Sequence, residues 1–305
     1  MARFESLISV EDLSVDDVLA IFDLAREMKE QLESSSKMSS RLKGKSIVNL
    51  FYENSTRTRS SFELAGKYLG AEVMNITSDG SSVAKGESLT DTVRTLDRLK
   101  PDIIVMRHPS SGAHELIKDK IEAHLLNAGD GTHEHPTQAL LDAFTISHYK
   151  NFSGLKVLIV GDVLHSRVAR SNILLLNKLG AEVIISGPAS LVPEGLSSLG
   201  CTVNYNFDEA IVDVDVIMML RIQLERQKMG LFPSFEEYTR YYCLTEERIL
   251  QAKVDTIILH PGPINRGLEI SPRVADSSKA LIEEQVTNGL AIRMALLTML
   301  SEEVE

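Results

Sequence analysis

The chain has 305 residues, more than one hydrophobic core ordinarily organises, so two domains of ordinary size are expected. Hydrophobic residues make up 43% and charged residues 25%, with mean hydropathy near zero, which is the composition of a globular chain rather than a disordered or membrane-embedded one. Acidic residues outnumber basic ones by 43 to 32, and the formal net charge of -11 argues against broad affinity for nucleic acid or anionic membranes, so an anion site has to be a local arrangement.

The opening stretch MARFESLISVEDLSVDDVLA interrupts its apolar residues with acids, which fits neither a secretory signal nor a basic transit peptide. No uninterrupted apolar run is long enough to cross a bilayer, and the cytoplasm is the expected location. A polar connector, SSSKMSSRLKGK, follows. From there short apolar runs alternate with helical patterns: SIVNLF as strand, 59–70 as helix, AEVMNI as strand, 88–100 as helix, DIIVMR as strand. A helix is expected from Pro136 to about Tyr149, since proline suits the first helical turn. A second series reads KVLIVGD, a helix over about 166–179, AEVIISG, a helix near 191–199, VDVIMML and DTIILHP. The alternation predicts an α/β protein with two doubly wound parallel-sheet domains joined by interdomain helices. The expected boundaries are 1–140 and 141–287, with 288–305 forming an amphipathic C-terminal helix that packs back on the first domain.

In doubly wound sheets ligands gather at the carboxyl ends of strands, and the chemically loaded residues of this chain fall there. The cluster 55–59 follows the first strand and precedes a helix, where backbone N–H groups with Ser55, Thr56, Arg57 and Thr58 could surround a phosphate. An N-cap serine followed by solvated arginines is the competing reading. Arg107 ends the third run, and His135 and Gln138 bracket Pro136 behind a Gly-Asp-Gly loop. A neutral imidazole beside guanidinium groups could donate to a carbonyl oxygen, although a lone histidine is usually structural.

His133 and His135 form an H-x-H pair that could be half of a metal site, as a metal-dependent amidohydrolase would need, but no companion ligands follow at suitable spacing. Gly161 is the single glycine of VLIVGDVLHSR where a dinucleotide turn needs three, so nicotinamide binding is not expected. Arg167 starts the next helix, as a carboxylate holder or a surface charge. Arg221 and Gln223 fall on one side of an extended segment, as a carboxylate clamp or a solvated loop. Cys201 and Cys243 have no paired metal or redox spacing and read as buried, reduced thiols.

Taken together, FYENSTRTR, MRHP, HPTQ, MLRIQLER and HPGPINRGLEI resemble, in order and nearly end to end, the motifs of the aspartate/ornithine carbamoyltransferase family. The ornithine branch usually carries H-C-L-P where this chain reads His260-Pro261-Gly262-Pro263, and Arg221 with Gln223 resembles a loop that binds aspartate. The resemblance implies transfer of the carbamoyl group of carbamoyl phosphate to the α-amine of L-aspartate, giving N-carbamoyl-L-aspartate and phosphate, a step of de novo pyrimidine biosynthesis. No cofactor and no metal are implied.

By the same resemblance Ser55, Thr56, Arg57, Thr58 and Arg107 hold the phosphate and carbonyl oxygens, and Thr58, Arg107 and His135 polarise the carbonyl. Gln138 and the backbone of Pro261, Gly262 and Pro263 orient the carbamoyl amine, while Arg167, Arg221 and Gln223 take the aspartate carboxylates. Ser81 and Lys85 resemble the segment that reaches into a neighbouring subunit's site, implying a homotrimer with shared active sites. The lysine that many family members carry before Lys85 is Ala84 here. Glu53 resembles an interdomain acid that pairs with Arg167 and Arg226 on closure, or else is an exposed strand-end glutamate. Regulatory chains or another pyrimidine-pathway enzyme are further partners the resemblance allows.

Overall fold

The computed structural model describes residues 4–53, 55–77, 87–222 and 234–302. The chain divides into two compact units, one made of 1–141 and 287–305 and the other of 142–286. The first unit runs α1 (Val15–Glu33), β1 (Ser46–Phe51), α2 (Thr56–Tyr68), β2 (Glu72–Thr77), α3 (Leu89–Asp97), β3 (Ile103–His108), α4 (Ala113–Ile117) and β4 (His124–Asp130). Helix α5 (Pro136–Ser147) carries the chain into the second unit. There β5 (Lys156–Val160), α6 (Arg167–Lys178), β6 (Glu182–Ser186), β7 (Thr202–Val203), α7 (Phe207–Ala210) and β8 (Val216–Met219) follow. They are succeeded by α8 (Phe235–Tyr242), α9 (Glu246–Ile249), β9 (Ile257–Leu259), α10 (Pro272–Ala275) and finally α11 (Ile282–Ser301), whose last part belongs to the first unit.

Both sheets are parallel. The first has the order β2-β1-β3-β4 and the second β7-β6-β5-β8-β9. Inner strands read as apolar runs because both their faces are covered: five successive residues of β1, from Ile47 to Phe51, are buried, whereas the edge strand β2 has none fully buried. Val48, Leu50, Ile104, Met106 and Leu125 pack in the first core, and Leu158, Val160, Ile217, Met219 and Ile258 in the second. The strand order reverses between β1 and β3 in one sheet and between β5 and β8 in the other. Such switch points open a crevice at the carboxyl ends of the two strands concerned.

Several elements differ from expectation. Helix α1 was not anticipated, although Val18, Ile21, Phe22, Ala25, Met28 and Leu32 form its buried stripe and Ser14 with Asp17 makes a capping box. Residues 194–199 form a 3-10 turn rather than an α-helix, with Pro193 at its start and glycines at 195 and 200 limiting its growth. Helix α11 is not simply amphipathic: every residue from Ala291 to Leu300 is buried, while Val286 near its start is 56% exposed. A helix sheathed on all sides carries no polar face, and its one cation there, Arg293, donates to the Ser61 hydroxyl at 2.8 Å and lies over the Phe62 ring. Cys201 and Cys243 are free and buried, and burial pushes the Cys243 thiol up to about 11. Among the described residues no helix is long and apolar enough to cross a membrane.

Candidate active site

At the switch point of the first unit, β1 ends at Phe51 and α2 begins at Thr56, with Phe51 in register beside Arg107 of β3. Ser55 occupies the N-cap of α2, but its hydroxyl makes no capping hydrogen bond, so the competing reading holds in the position of this serine and in the exposed Arg57 and fails only in the cap itself. Helices α1, α3 and α8 carry acids in their first turns, which complement the positive end of the helix dipole. Helix α2 has no acid there and opens on Arg57 and Arg59. Cations at a helix N-terminus are unfavourable unless an anion joins them, and the first-turn N–H groups supply further donors to that anion. Thr58 is buried, whereas Thr56 and Arg57 are exposed.

Arg107 is largely buried, at 16% side-chain exposure, and its Nε donates to Glu53 Oε2 at 3.0 Å. Glu53 therefore is not an exposed strand-end glutamate; it is 18% exposed and neutralises Arg107 within the first unit. Sequence reasoning did not foresee that pair. Next to Arg107, His108 accepts from the Ser110 N–H at Nδ1 and meets the Tyr52 ring edge-on at 4.9 Å; burial lowers its pKa.

The third contribution comes from the β4–α5 turn. Gly131 has a φ of +47°, and a Cβ there would lie 2.5 Å from the Ser111 nitrogen, so only glycine fits. Asp130 organises the turn by accepting from the N–H groups of Gly112 and Glu134, from the Asn127 amide and from His133. Burial pushes this carboxyl up, but the hydrogen bonds of His133 and Gly112 outweigh it and hold its pKa below the usual value. His135 is 4% exposed and its carbonyl accepts from the N–H groups of Gln138 and Ala139, fixing both residues at the start of α5. The neighbouring Glu134 is fully buried, accepting from the Ser9 hydroxyl and from the Val10 N–H at 3.0 Å. His133 turns to Asp130 at 3.1 Å. Among the described residues no three His, Cys, Asp or Glu side chains group as metal ligands.

At the switch point of the second unit, α6 again opens on an arginine with no acid in its first turn. Arg167 is 4% exposed, so the surface-charge reading fails. Its helix is capped by Ser166, which accepts from the Ala169 N–H at 3.1 Å. Arg221 lies two residues beyond β8 and is half-buried. The His260–Pro263 turn follows β9, with His260 Nδ1 accepting from the Gly262 N–H at 2.8 Å. Gly262 has a φ of +62°, and its bond to Pro263 is cis. Ser81, Lys85, Gln223 and Arg226 lie outside the described residues.

Each unit is thus a parallel α/β sheet whose strand-order reversal lies beside a helix with arginine in its first turn, a setting suited to an anion. Comparison with known proteins narrows the reading. The model of the aspartate/ornithine carbamoyltransferase carbamoyl-P binding domain matches residues 5–148, and that of the family's Asp/Orn binding domain matches 153–300. The aspartate carbamoyltransferase catalytic subunit of Caldanaerobacter subterraneus subsp. tengcongensis is 55% identical, over 98% of this chain and 98% of its own. The crystal structure of aspartate transcarbamoylase from Trypanosoma cruzi in complex with carbamoyl phosphate superposes with a TM-score of 0.87 at 31% identity, covering 97% of this chain and 96% of that one. Ornithine carbamoyltransferase from Pyrococcus furiosus gives 0.85 at 27% identity, covering 96% of each. The chain belongs to the aspartate/ornithine carbamoyltransferase family.

Proposed function

We infer that this enzyme transfers the carbamoyl group of carbamoyl phosphate to the α-amine of L-aspartate, releasing N-carbamoyl-L-aspartate and phosphate. Both branches of the family share the fold at nearly equal TM-scores, so the acceptor has to be decided by side chains. The observation that carries the choice is the second unit's pair of partly or fully buried arginines, Arg167 and Arg221, at the reversal of its sheet. Two guanidinium groups suit the two carboxylates of aspartate and repel the terminal ammonium of ornithine. The high identity to the bacterial catalytic subunit points the same way.

In this reading the uncharged amine attacks the carbonyl carbon, a tetrahedral intermediate forms, and phosphate departs with the C–O bond electrons. No protein nucleophile is needed. Negative charge grows on the carbonyl oxygen, and Thr58, Arg107 and His135 donate to it, so their bonds strengthen towards the transition state. Ser55, Thr56, Arg57 and the first-turn N–H groups of α2 hold the phosphate. Gln138, with the backbone of Pro261, Gly262 and Pro263, orients the carbamoyl amine. Arg167, Arg221 and Gln223 fix the aspartate carboxylates, so that two anions are aligned against their repulsion. The departing phosphate is the candidate acceptor of the amine proton.

The same reading makes the protein a cytoplasmic enzyme of pyrimidine biosynthesis and a homotrimer, with Ser81 and Lys85 of each subunit entering the neighbour's site; regulatory chains are a compatible addition. Product analysis tests the activity: incubation with carbamoyl phosphate and L-aspartate should yield N-carbamoyl-L-aspartate. Carbamoylation of ornithine in preference to aspartate would overturn the assignment.

A further inference from the structure

The second unit buries a carboxylate that the proposed chemistry leaves without a role. Glu269 is fully buried, and its two oxygens are occupied from two directions. Oε1 accepts from the Ile222 N–H at 2.8 Å and from the Asn265 side-chain amide at 2.6 Å, while Oε2 accepts from the Asn265 backbone N–H at 2.7 Å. The Asn265 amide also reaches the Ile222 carbonyl at 3.3 Å. Both peptide groups of Ile222 are thereby tied to the Glu269–Asn265 pair, and the Ile222 side chain is packed with Tyr238 and Leu268. Ile222 adjoins Arg221, so the course of the backbone that carries this guanidinium is set by a residue far along the chain.

The same carboxylate faces the turn after β9. His260 Nε2 lies 3.7 Å from Glu269 Oε2, close but beyond hydrogen-bond distance, while its Nδ1 accepts from the Gly262 N–H. Behind the turn, the His260 N–H donates to Gln285 Oε1, whose amide donates to Asp142, which also accepts from Asn172. Hydrogen bonds of this kind, buried and made by a carboxylate, are the strong ones, and leaving a buried donor without its acceptor carries the full desolvation penalty.

We propose that Glu269, with Asn265, is a positioning residue for the acceptor substrate: it fixes the backbone of Arg221–Ile222, so that the guanidinium meets a carboxylate at a set place. The proposal rests on the reading that Arg221 binds an acceptor carboxylate. Glu269→Gln preserves volume but puts an amide donor against either the Ile222 and Asn265 side-chain donors or the Asn265 N–H, whichever way the group is turned. Asn265→Ala removes the tie from its other end.

The test is a comparison of Glu269→Gln, Asn265→Ala and Arg221→Ala, read by steady-state kinetics and by calorimetric binding of succinate, which has both carboxylates and no amine, to enzyme loaded with carbamoyl phosphate. The expected result is an aspartate KM and a succinate Kd raised about tenfold in both tie variants, with carbamoyl phosphate affinity changed by less than about twofold. Added to Arg221→Ala, Glu269→Gln should cost less than about twofold more, because it acts through that arginine. An unchanged aspartate KM in both tie variants, an equal weakening of both substrates, or effects that simply add to those of Arg221→Ala would overturn the proposal. Arg221→Ala alone separates the two layers: if it leaves aspartate binding intact, the clamp reading fails and the proposal with it, whereas a raised KM there beside unaffected tie variants rejects Glu269 alone.

Discussion

At the reversal of the first sheet, β1 and β3 deliver a run of hydroxyls, a helix N-terminus and three arginines, Arg57, Arg59 and Arg107; at the reversal of the second, β5 and β8 deliver two arginines set on separate segments. The first arrangement has many donors within one helical turn and suits a compact anion with several oxygens, such as a phosphate. The second has planar forks on separate segments, one at the start of α6 and one beyond β8, and suits two carboxylates held apart. One topology thus yields two chemistries because the residue types after corresponding strands differ. The supports differ as well. The first unit neutralises Arg107 with Glu53 directly, whereas the second steadies Arg221 through the backbone of Ile222.

The contrast can be broken most severely at Arg57. Arg57→Ala should lower turnover by about a thousandfold, on the scale of losing a donor to developing charge, while the thermal midpoint stays near that of the parent because the side chain is exposed. Normal turnover in this variant would remove the first unit's claim to the phosphate.

A second break concerns pH and falls on the first unit alone. His114 is fully buried under β3, its Nε2–H donating to the Met106 carbonyl at 2.9 Å, and burial lowers its pKa to about 4. The unfolded imidazole takes up its proton near 6.5, so the unfolded state binds more protons between these values. Stability from this group is complete above about pH 6.5 and is lost as pH falls towards 4, by about 3 kcal/mol in all. Urea unfolding of His114→Gln across this range should show a flatter pH dependence than the parent, and an identical slope would contradict the account.

Arg221→Ala sharpens the comparison from the other side. It should raise the aspartate KM by about ten- to a hundredfold, the worth of a charge-assisted hydrogen bond, and leave carbamoyl phosphate nearly unaffected. Equal losses for both substrates would dissolve the division of labour. The smallest signal is expected from mixing. Under the proposed trimeric assembly, Lys85→Ala and Arg57→Ala subunits, each inactive alone, should regain a fraction of the parent activity when mixed, and its absence in verified mixed oligomers would argue against shared sites.

Much of this architecture is legible in the chain. Buried parallel strands such as β1, β5 and β8 announce themselves as short apolar runs, and the phosphate-type cluster at Ser55–Arg59 stands out by its density of donors. Strand β4 is harder to see, because its buried Asn127 and Asp130 serve the turn that carries His135 and interrupt the apolar pattern. Helix α1 is harder to read because acids punctuate its stripe, although its capping box is a usable mark. The supports of the site were invisible for a simpler reason. Glu134 reaches Ser9, Glu53 reaches Arg107 and Glu269 reaches Ile222 across stretches of chain that carry no local periodicity, and only the fold brings them together.

The most direct measurement is a crystal structure of the protein soaked with carbamoyl phosphate and succinate. The account predicts the phosphorus at the N-terminus of α2, within reach of Ser55, Thr56, Arg57 and Thr58, and the succinate carboxylates on Arg167 and Arg221. Phosphate bound at the start of α6, with the dicarboxylate on Arg57, would contradict it.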